Sequence, residues 1–124
     1  MAKILIIEDQ DSLGLLYKRV LGSMGHDVTV ARNGHDGVAA AENNKPDLVF
    51  LDLMLPGMKG SEVVRQLTRV GALPDSPLVI TTAVVESQAK ALAPSLGASA
   101  VLIKPLDIRA VIDLVDSLLP TPKE

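Results

Sequence analysis

Cysteine and tryptophan are absent from the sequence, and tyrosine and phenylalanine occur once each. Without cysteine the chain forms no disulfide, no thiolate zinc site and no thiol nucleophile, which suits a reducing compartment. Hydrophobic residues make up 48% of the 124 residues but aromatic residues only 2%, so the core must be aliphatic. A chain of this length is large enough for one domain with one solid core.

Two further absences limit the partners of the chain. The formal net charge is −3, and no block of basic residues marks a surface for nucleic acid or membrane. No apolar stretch approaches the roughly 20 residues of a transmembrane helix, and the run after Met1-Ala2-Lys3 is too short for a signal sequence. We therefore expect a soluble, cytoplasmic protein that binds neither nucleic acid nor membrane directly.

Short apolar runs alternate with segments of helical period along the whole chain. This alternation predicts a doubly wound five-stranded parallel sheet with helices on both faces, an α/β fold. Tyr17 and Phe50 fall on core-facing positions, and Ser61 is predicted to cap the third helix. We expect one domain over residues 1–120, followed by a short tail or the start of a linker at 121–124. The predicted strands are 3–7, 28–31, 48–51, 78–81 and 100–103, and the predicted helices are 13–24, 37–44, 61–69, 86–96 and one that begins at Asp107.

Polar side chains follow four of the predicted strands at the point where each strand ends. Glu8 and Asp9 come after the first strand, Asp52 after the third, Thr82 after the fourth and Lys104 after the fifth. Ligands of parallel α/β sheets bind beyond the carboxyl ends of the strands, so these side chains should meet in one crevice. Carboxylates, a hydroxyl and an ammonium in one crevice indicate a site that accepts a phosphoryl group.

Asp47 is an internal control for this prediction. It lies five residues before Asp52, about 16 Å away along an extended strand at ~3.3 Å per residue. We therefore expect Asp47 at the opposite end of the sheet, where it takes no part in the site.

Four segments together resemble the receiver domain of bacterial two-component response regulators. They are Ile7-Glu8-Asp9, residues 51–60, Thr82-Ala83 and Lys104-Pro105, and they occur in the family order with family-like spacing over the whole chain. The resemblance implies the flavodoxin-like strand order 2-1-3-4-5. It also implies a phosphoacceptor signalling domain, like the single-domain chemotaxis regulators, rather than an enzyme. Such a domain assists its own phosphotransfer and autodephosphorylation.

The resemblance implies a phosphoryl transfer from the histidine of a sensor kinase, or of a phosphotransfer protein, to Asp52. Thr82 and Lys104 are the other catalytic side chains, because a hydroxyl and an ammonium can bind the phosphoryl oxygens. The backbone amides of Met54 and Ala83 complete the phosphoryl cradle by analogy with the family. The family also carries a cis peptide bond between Lys104 and Pro105.

The predicted metal ligands are the carboxylates of Glu8, Asp9 and Asp52 and the backbone carbonyl of Met54. Two carboxylates 4 Å apart repel by about 4 kcal/mol at an effective dielectric constant of 20, so a cation should share the site. Ligands that are all oxygen, together with a phosphoryl substrate, favour Mg²⁺, with Mn²⁺ able to substitute.

Four positions depart from the usual family pattern, among them Leu106, where phenylalanine is common. Val101 stands where family members usually carry an aromatic ring that couples to the threonine of the site, and a valine side chain cannot provide that ring. Met54 and Val84 occupy positions that tune dephosphorylation, and neither side chain can position a water molecule. We therefore expect slow self-dephosphorylation.

The surface that would contact an output protein is predicted on the fourth helix, the fifth strand and the fifth helix. Small and apolar residues there would contact an output protein or a second copy of the chain in a homodimer. They are Ala89, Ala91, Leu92, Ala93 and Val101.

Two alternative classes use related chemistry. A haloacid-dehalogenase-type phosphatase needs a second aspartate two residues after the nucleophile, and Met54 stands there. No glycine-rich dinucleotide motif and no P-loop are present. The alternative left open is a receiver-like binding module that is never phosphorylated.

Overall fold

A computed structural model describes residues 2–83, 91 and 93–119 of the chain. The strands are β1 Lys3–Ile7, β2 Asp27–Ala31, β3 Leu48–Asp52, β4 Leu78–Thr82 and β5 Ala100–Ile103. The helices are α1 Asp11–Ser23, α2 Gly34–Asn43, α3 Gly60–Arg69 and a C-terminal helix, Ile108–Leu118. All neighbouring strands are parallel in the order β2-β1-β3-β4-β5, which confirms the predicted fold.

The ends of the helices agree with the sequence predictions in part. Asp107 precedes the C-terminal helix, and its side chain accepts a hydrogen bond from the Arg109 amide, 3.0 Å away. The prediction that Ser61 caps α3 is wrong, because Gly60 is already helical and Lys59 holds the N-cap position without a side-chain hydrogen bond. Most of the helix predicted at 86–96 lies outside the described residues, although residues 93–96 are helical.

The core forms two aliphatic layers, one on each face of the sheet, because successive side chains of a strand point to opposite faces. The only aromatic contact is between the rings of Tyr17 and Phe50, whose centroids are 5.3 Å apart. This arrangement confirms the predicted aliphatic core. The layer under α1 and the C-terminal helix contains Ile4, Ile6, Tyr17, Leu21, Leu48, Phe50, Val79, Val111 and Val115. The layer under α2 and α3 includes Leu5, Ile7, Ala41, Val49, Leu51, Val63, Leu67 and Ile80.

Helix α2 packs closely against the end of β1. A Cβ atom at Gly37 would lie 2.5 Å from Cδ1 of Ile7, which is buried, so only glycine allows this approach. Ile7 is the last residue of β1. The close contact thus packs α2 against the last residue of β1, directly before the loop that begins with Glu8.

None of the helices that the structure describes is both long enough and apolar enough to cross a lipid bilayer.

Candidate functional site

The predicted site residues meet at the carboxyl edge of the sheet. Ile7 pairs with Leu51 in the ladder between β1 and β3, so Glu8 follows beside Asp52. The backbone amide of Lys104 donates to the Thr82 carbonyl, 2.8 Å away, which holds the residue after β5 against the end of β4. Three neighbouring strand ends and the residue after β5 thus converge on one place.

Lys104 joins the two buried carboxylates of the site. Its ammonium nitrogen lies 2.8 Å from Asp52 Oδ2, 2.9 Å from Glu8 Oε1 and 3.2 Å from Glu8 Oε2. The exposed fractions of the side chains are 13% for Lys104, 1% for Glu8 and 3% for Asp52. Since charges buried this deeply require a partner, the ammonium is the internal counterion of both acids.

Backbone amides fix the orientation of both carboxylates. The Met54 amide donates to Asp52 Oδ1 over 2.9 Å, and the Gln10 amide donates to Glu8 Oε2 over 3.2 Å. With Lys104 on the remaining Asp52 oxygen, neither oxygen of that carboxylate lacks a donor. The Asp52 carboxylate is therefore held in one orientation at the end of a rigid strand.

Burial and pairing act in opposite directions on the charged groups of the site. Burial raises the pKa of Glu8, and the Asp52 charge adds to this effect, whereas the hydrogen bonds from Lys104 and the Gln10 amide oppose it. Burial alone would lower the pKa of Lys104, but hydrogen bonds to Asp52 and Glu8 outweigh it and raise that pKa. Lys104 therefore stays protonated and positive at neutral pH.

The acidic cluster fits a divalent metal ion. Glu8, Asp9 and Asp52 each offer one carboxylate oxygen, and these three oxygens lie within 4.8 Å of one another. Opposite ligands of an octahedral Mg²⁺ are about 4.2 Å apart, at 2.0–2.1 Å from the ion, so a small adjustment would bring the oxygens into range. Three carboxylates and one ammonium also leave a formal charge of −2 for a divalent cation to balance.

The other predicted residues fall into three groups. Thr82 is fully buried at the end of β4, one residue beyond Thr81, which pairs with Asp52, and Ala83 lines a surface depression together with Lys104. Val84 lies outside the described residues. Asp47 lies at the opposite end of β3, where its carboxylate accepts a hydrogen bond from the Lys3 amide over 2.8 Å. The expectation for Asp47 is thus confirmed.

The loops after β5 and β3 contain two further predicted features, the Lys104–Pro105 peptide bond and Met54. The peptide bond between Lys104 and Pro105 is cis, as expected. Met54, one of the positions that depart from the family pattern, is 59% exposed. Roles of the Met54 carbonyl and the Ala83 amide in binding ligands stay predictions.

Sequence reasoning missed one residue near the site. Helical periodicity correctly predicts Tyr17 in the core, where it is 3% exposed. It does not predict that burial, followed by the negative charges of Glu8 and Asp52, raises the pKa of the Tyr17 phenol. The available signal was the position of Tyr17 on α1, which begins directly after the acidic loop.

Comparison with known proteins agrees with this arrangement. Residues 4–116 match the family model described as the response regulator receiver domain. The chain belongs to this family. The receiver domain is 34% identical to PilH of Pseudomonas aeruginosa over 119 residues, which cover 96% of this chain and 98% of PilH.

Other relatives are longer than this receiver domain. It is 37% identical over 117 residues to PhoP of Bacillus subtilis, an alkaline phosphatase synthesis transcriptional regulatory protein. The match covers 94% of this chain but only 48% of PhoP, so the chain spans about half the length of that relative.

Solved structures share the fold of the receiver domain. The chemotaxis protein CheY4 of Vibrio cholerae superposes with a TM-score of 0.88 at 24% identity, covering 96% of this chain and 99% of that one. The BeF3-activated N-terminal receiver domain of Klebsiella pneumoniae RstA has a TM-score of 0.84 at 29% identity, with the same shares covered. The similarity to CheY4, at 24% identity, concerns the fold alone.

Proposed function

We propose that this receiver domain accepts a phosphoryl group on Asp52 from the phosphohistidine of a sensor kinase or phosphotransfer protein. The observation that carries the proposal is the environment of the Asp52 carboxylate. It is buried at the end of β3, fixed by the Met54 amide and paired with the Lys104 ammonium, next to two further acids. Family membership supports the same chemistry.

The proposed transfer uses the carboxylate as a nucleophile. One Asp52 oxygen attacks phosphorus and forms a P–O bond while the P–N bond to the donor histidine breaks, and the departing imidazole keeps the electron pair. Lys104, which already contacts Asp52 Oδ2, would follow the phosphoryl oxygens as a point charge. The Thr82 hydroxyl and the backbone amides of Met54 and Ala83 would donate to the same oxygens. The product is an aspartyl phosphate.

The acidic cluster of Glu8, Asp9 and Asp52, together with the Met54 carbonyl, would hold Mg²⁺, and Mn²⁺ can substitute for it. The ion would supply positive charge that balances the transferring phosphoryl group. Without such a cation the incoming anion would meet three carboxylates and only one ammonium.

The domain itself would be a phosphoacceptor rather than an enzyme, acting on its own aspartyl phosphate only. Its output would pass through contacts with another protein, or a second copy of the chain, on the face formed by the fourth helix, β5 and the C-terminal helix. On that face Ala89 and Leu92 lie outside the described residues, Ala91 is exposed, and Val101 is half-buried against the core layer under α2 and α3.

The transfer is tested by intact mass measurement after incubation with acetyl phosphate. We expect the mass of one phosphoryl group to be added in the presence of Mg²⁺, and no addition when the metal is chelated beforehand. A protein that gains no phosphoryl mass with Mg²⁺ would instead be the alternative, a binding module that is not phosphorylated.

Met54→Asn should shorten the lifetime of the aspartyl phosphate. The side chain of Met54 is exposed beside Asp52 and offers no hydrogen bond to an attacking water, whereas an amide does. One hydrogen bond to the water corresponds to a factor of about 2 to 10 in rate. Loss of the phosphoryl mass over time in chelator, compared between the two proteins, measures the effect; equal decay rates would contradict it.

A further inference from the structure

Two buried side-chain atoms of the part of the chain that the structure describes lack a hydrogen bond of good geometry. The Tyr17 hydroxyl has no hydrogen-bond partner, and Oε1 of Glu8 has only the ionic contact with the Lys104 ammonium, 2.9 Å away. Buried polar atoms nearly always have such a partner, so each exception calls for an explanation. One of these atoms is a donor and the other belongs to a carboxylate, so they are complementary to each other.

Tyr17 lies on the same face of the sheet as the acids. Its ring contacts Phe50, which is two residues before Asp52 on β3. Ile6, which pairs with Phe50 in the ladder, is two residues before Glu8. Since side chains two residues apart point to the same face, Glu8 and Asp52 continue the layer that contains the Tyr17 ring.

The electrostatics of the phenol agree with this position. Burial is the main cause of its raised pKa, and the charges of Glu8 and then Asp52 add to it. A neutral phenol near two carboxylates remains a hydrogen-bond donor at every physiological pH. The hydroxyl is thus an unused donor within the electrostatic influence of Glu8.

Glu8 has a cation partner only while Lys104 stays between the two acids. Its Oε1 lies 2.9 Å from the ammonium nitrogen, and its Oε2 also accepts from the Gln10 amide. When Lys104 serves a phosphoryl group on Asp52, or when the acids hold a divalent cation that repels it, Oε1 loses this contact. The carboxylate then needs a new donor to keep its orientation.

We propose that Tyr17 is a positioning residue whose hydroxyl donates to the Glu8 carboxylate when Lys104 leaves it. The Gln10 amide and the Tyr17 hydroxyl then hold one Glu8 oxygen each, and Glu8 keeps the orientation in which it binds the metal ion. Of the two experiments that test this inference, only the one that measures Mg²⁺ binding, called the metal arm below, rests on the proposed function.

The metal arm compares Mg²⁺ affinity by calorimetry in the parent and in Tyr17→Phe, both unphosphorylated. Loss of a group that orients a metal ligand should weaken Mg²⁺ binding about 10-fold. A change of less than about twofold, in a parent that binds Mg²⁺, overturns the role of Tyr17 and leaves the proposed function standing. A parent that does not bind Mg²⁺ contradicts the proposed function instead.

Ser76→Ala is the matched control for removing a buried hydroxyl. The Ser76 hydroxyl donates to the Pro46 carbonyl at the opposite end of the sheet. Its removal should lower the Tm and leave the Mg²⁺ affinity unchanged. Tyr17→Phe should instead raise the Tm of the metal-free protein by about 3 °C, because its hydroxyl has no partner there to lose. A fall in Tm would show an existing bond and overturn the proposal.

A second experiment needs no metal. It tests the exchange itself, that is, whether the Tyr17 hydroxyl replaces the Lys104 ammonium on Glu8. In a Lys104→Met background Glu8 has lost the ammonium, so the Tyr17 hydroxyl should already bind it. Tyr17→Phe should therefore lower the Tm in that background while raising it in the parent. The same sign in both backgrounds overturns the exchange. If Lys104→Met does not fold, the metal arm decides alone.

Discussion

Asp52→Asn is expected to abolish phosphorylation completely. The variant should gain no phosphoryl mass from acetyl phosphate and Mg²⁺ under conditions in which the parent gains one group. A carboxamide carries no charge and its oxygen is a poor nucleophile, so the substitution removes the reacting atom while preserving the shape of the side chain. Intact mass spectrometry over a time course measures the effect.

Asp47→Asn provides the control for that experiment. It makes the same chemical change at the residue directly before β3, at the other end of the strand from Asp52. There the Asp47 carboxylate accepts a hydrogen bond from the Lys3 amide, with the whole length of β3 between it and Asp52. We expect phosphorylation at the rate of the parent. Phosphoryl addition to Asp52→Asn, or its loss in Asp47→Asn, would refute the assignment of the acceptor.

Lys104→Met is expected to cause the largest loss of stability among substitutions in the site. The variant leaves two carboxylates, at most 3% exposed, without their cation. Removing one partner of a buried ion pair typically costs about 3–5 kcal/mol of the free energy of unfolding. Urea denaturation in metal-free buffer at neutral pH measures this cost. The loss should shrink as the pH falls, because a protonated carboxyl group needs no cation.

Lys45→Met is the matched control for the loss of a lysine ion pair. Lys45 contacts Asp75 at 2.7 Å, but the two side chains are 54% and 68% exposed. Exposed pairs contribute at most about 1 kcal/mol. A Lys104→Met variant that loses no more stability than Lys45→Met would show that the buried ammonium does not compensate the charges of Glu8 and Asp52.

The parallel sheet and the convergence of the site residues could both be predicted from the sequence pattern, whereas the strand order followed from the resemblance to receiver domains. The predicted strands are short, mostly apolar runs, and at four of them a polar side chain at the end marks the edge of the sheet. Because parallel strands end at the same edge, Glu8, Asp52 and Lys104 could be placed together without knowledge of a single distance.

The beginnings of two helices could not be predicted in the same way. The sequence predicts that the second helix begins at residue 37, yet the Asn33 side chain accepts a hydrogen bond from the Asp36 amide and caps α2, which begins at Gly34. Asparagine suits turns and N-caps for the same reason, its short side chain that bonds nearby amides. Ser61 shows the converse error, since a favourable cap residue lies inside the first turn of α3.

The partners of polar groups within the site were also beyond the sequence. A predicted role for Lys104 near the phosphoryl group does not reveal that the ammonium also contacts Glu8. Similarly, periodicity assigns Tyr17 to the core but does not tell which polar atoms its hydroxyl meets. Such contacts depend on side-chain directions that arise only when the helices pack on the sheet.

The single tyrosine gives the protein a natural optical probe. With no tryptophan in the chain, the tyrosine bands of the near-ultraviolet circular dichroism spectrum come from one ring, which touches Phe50 in the layer below the acids. Spectroscopic titration with cations or acyl phosphates can therefore follow events at the carboxyl edge of the sheet without any label.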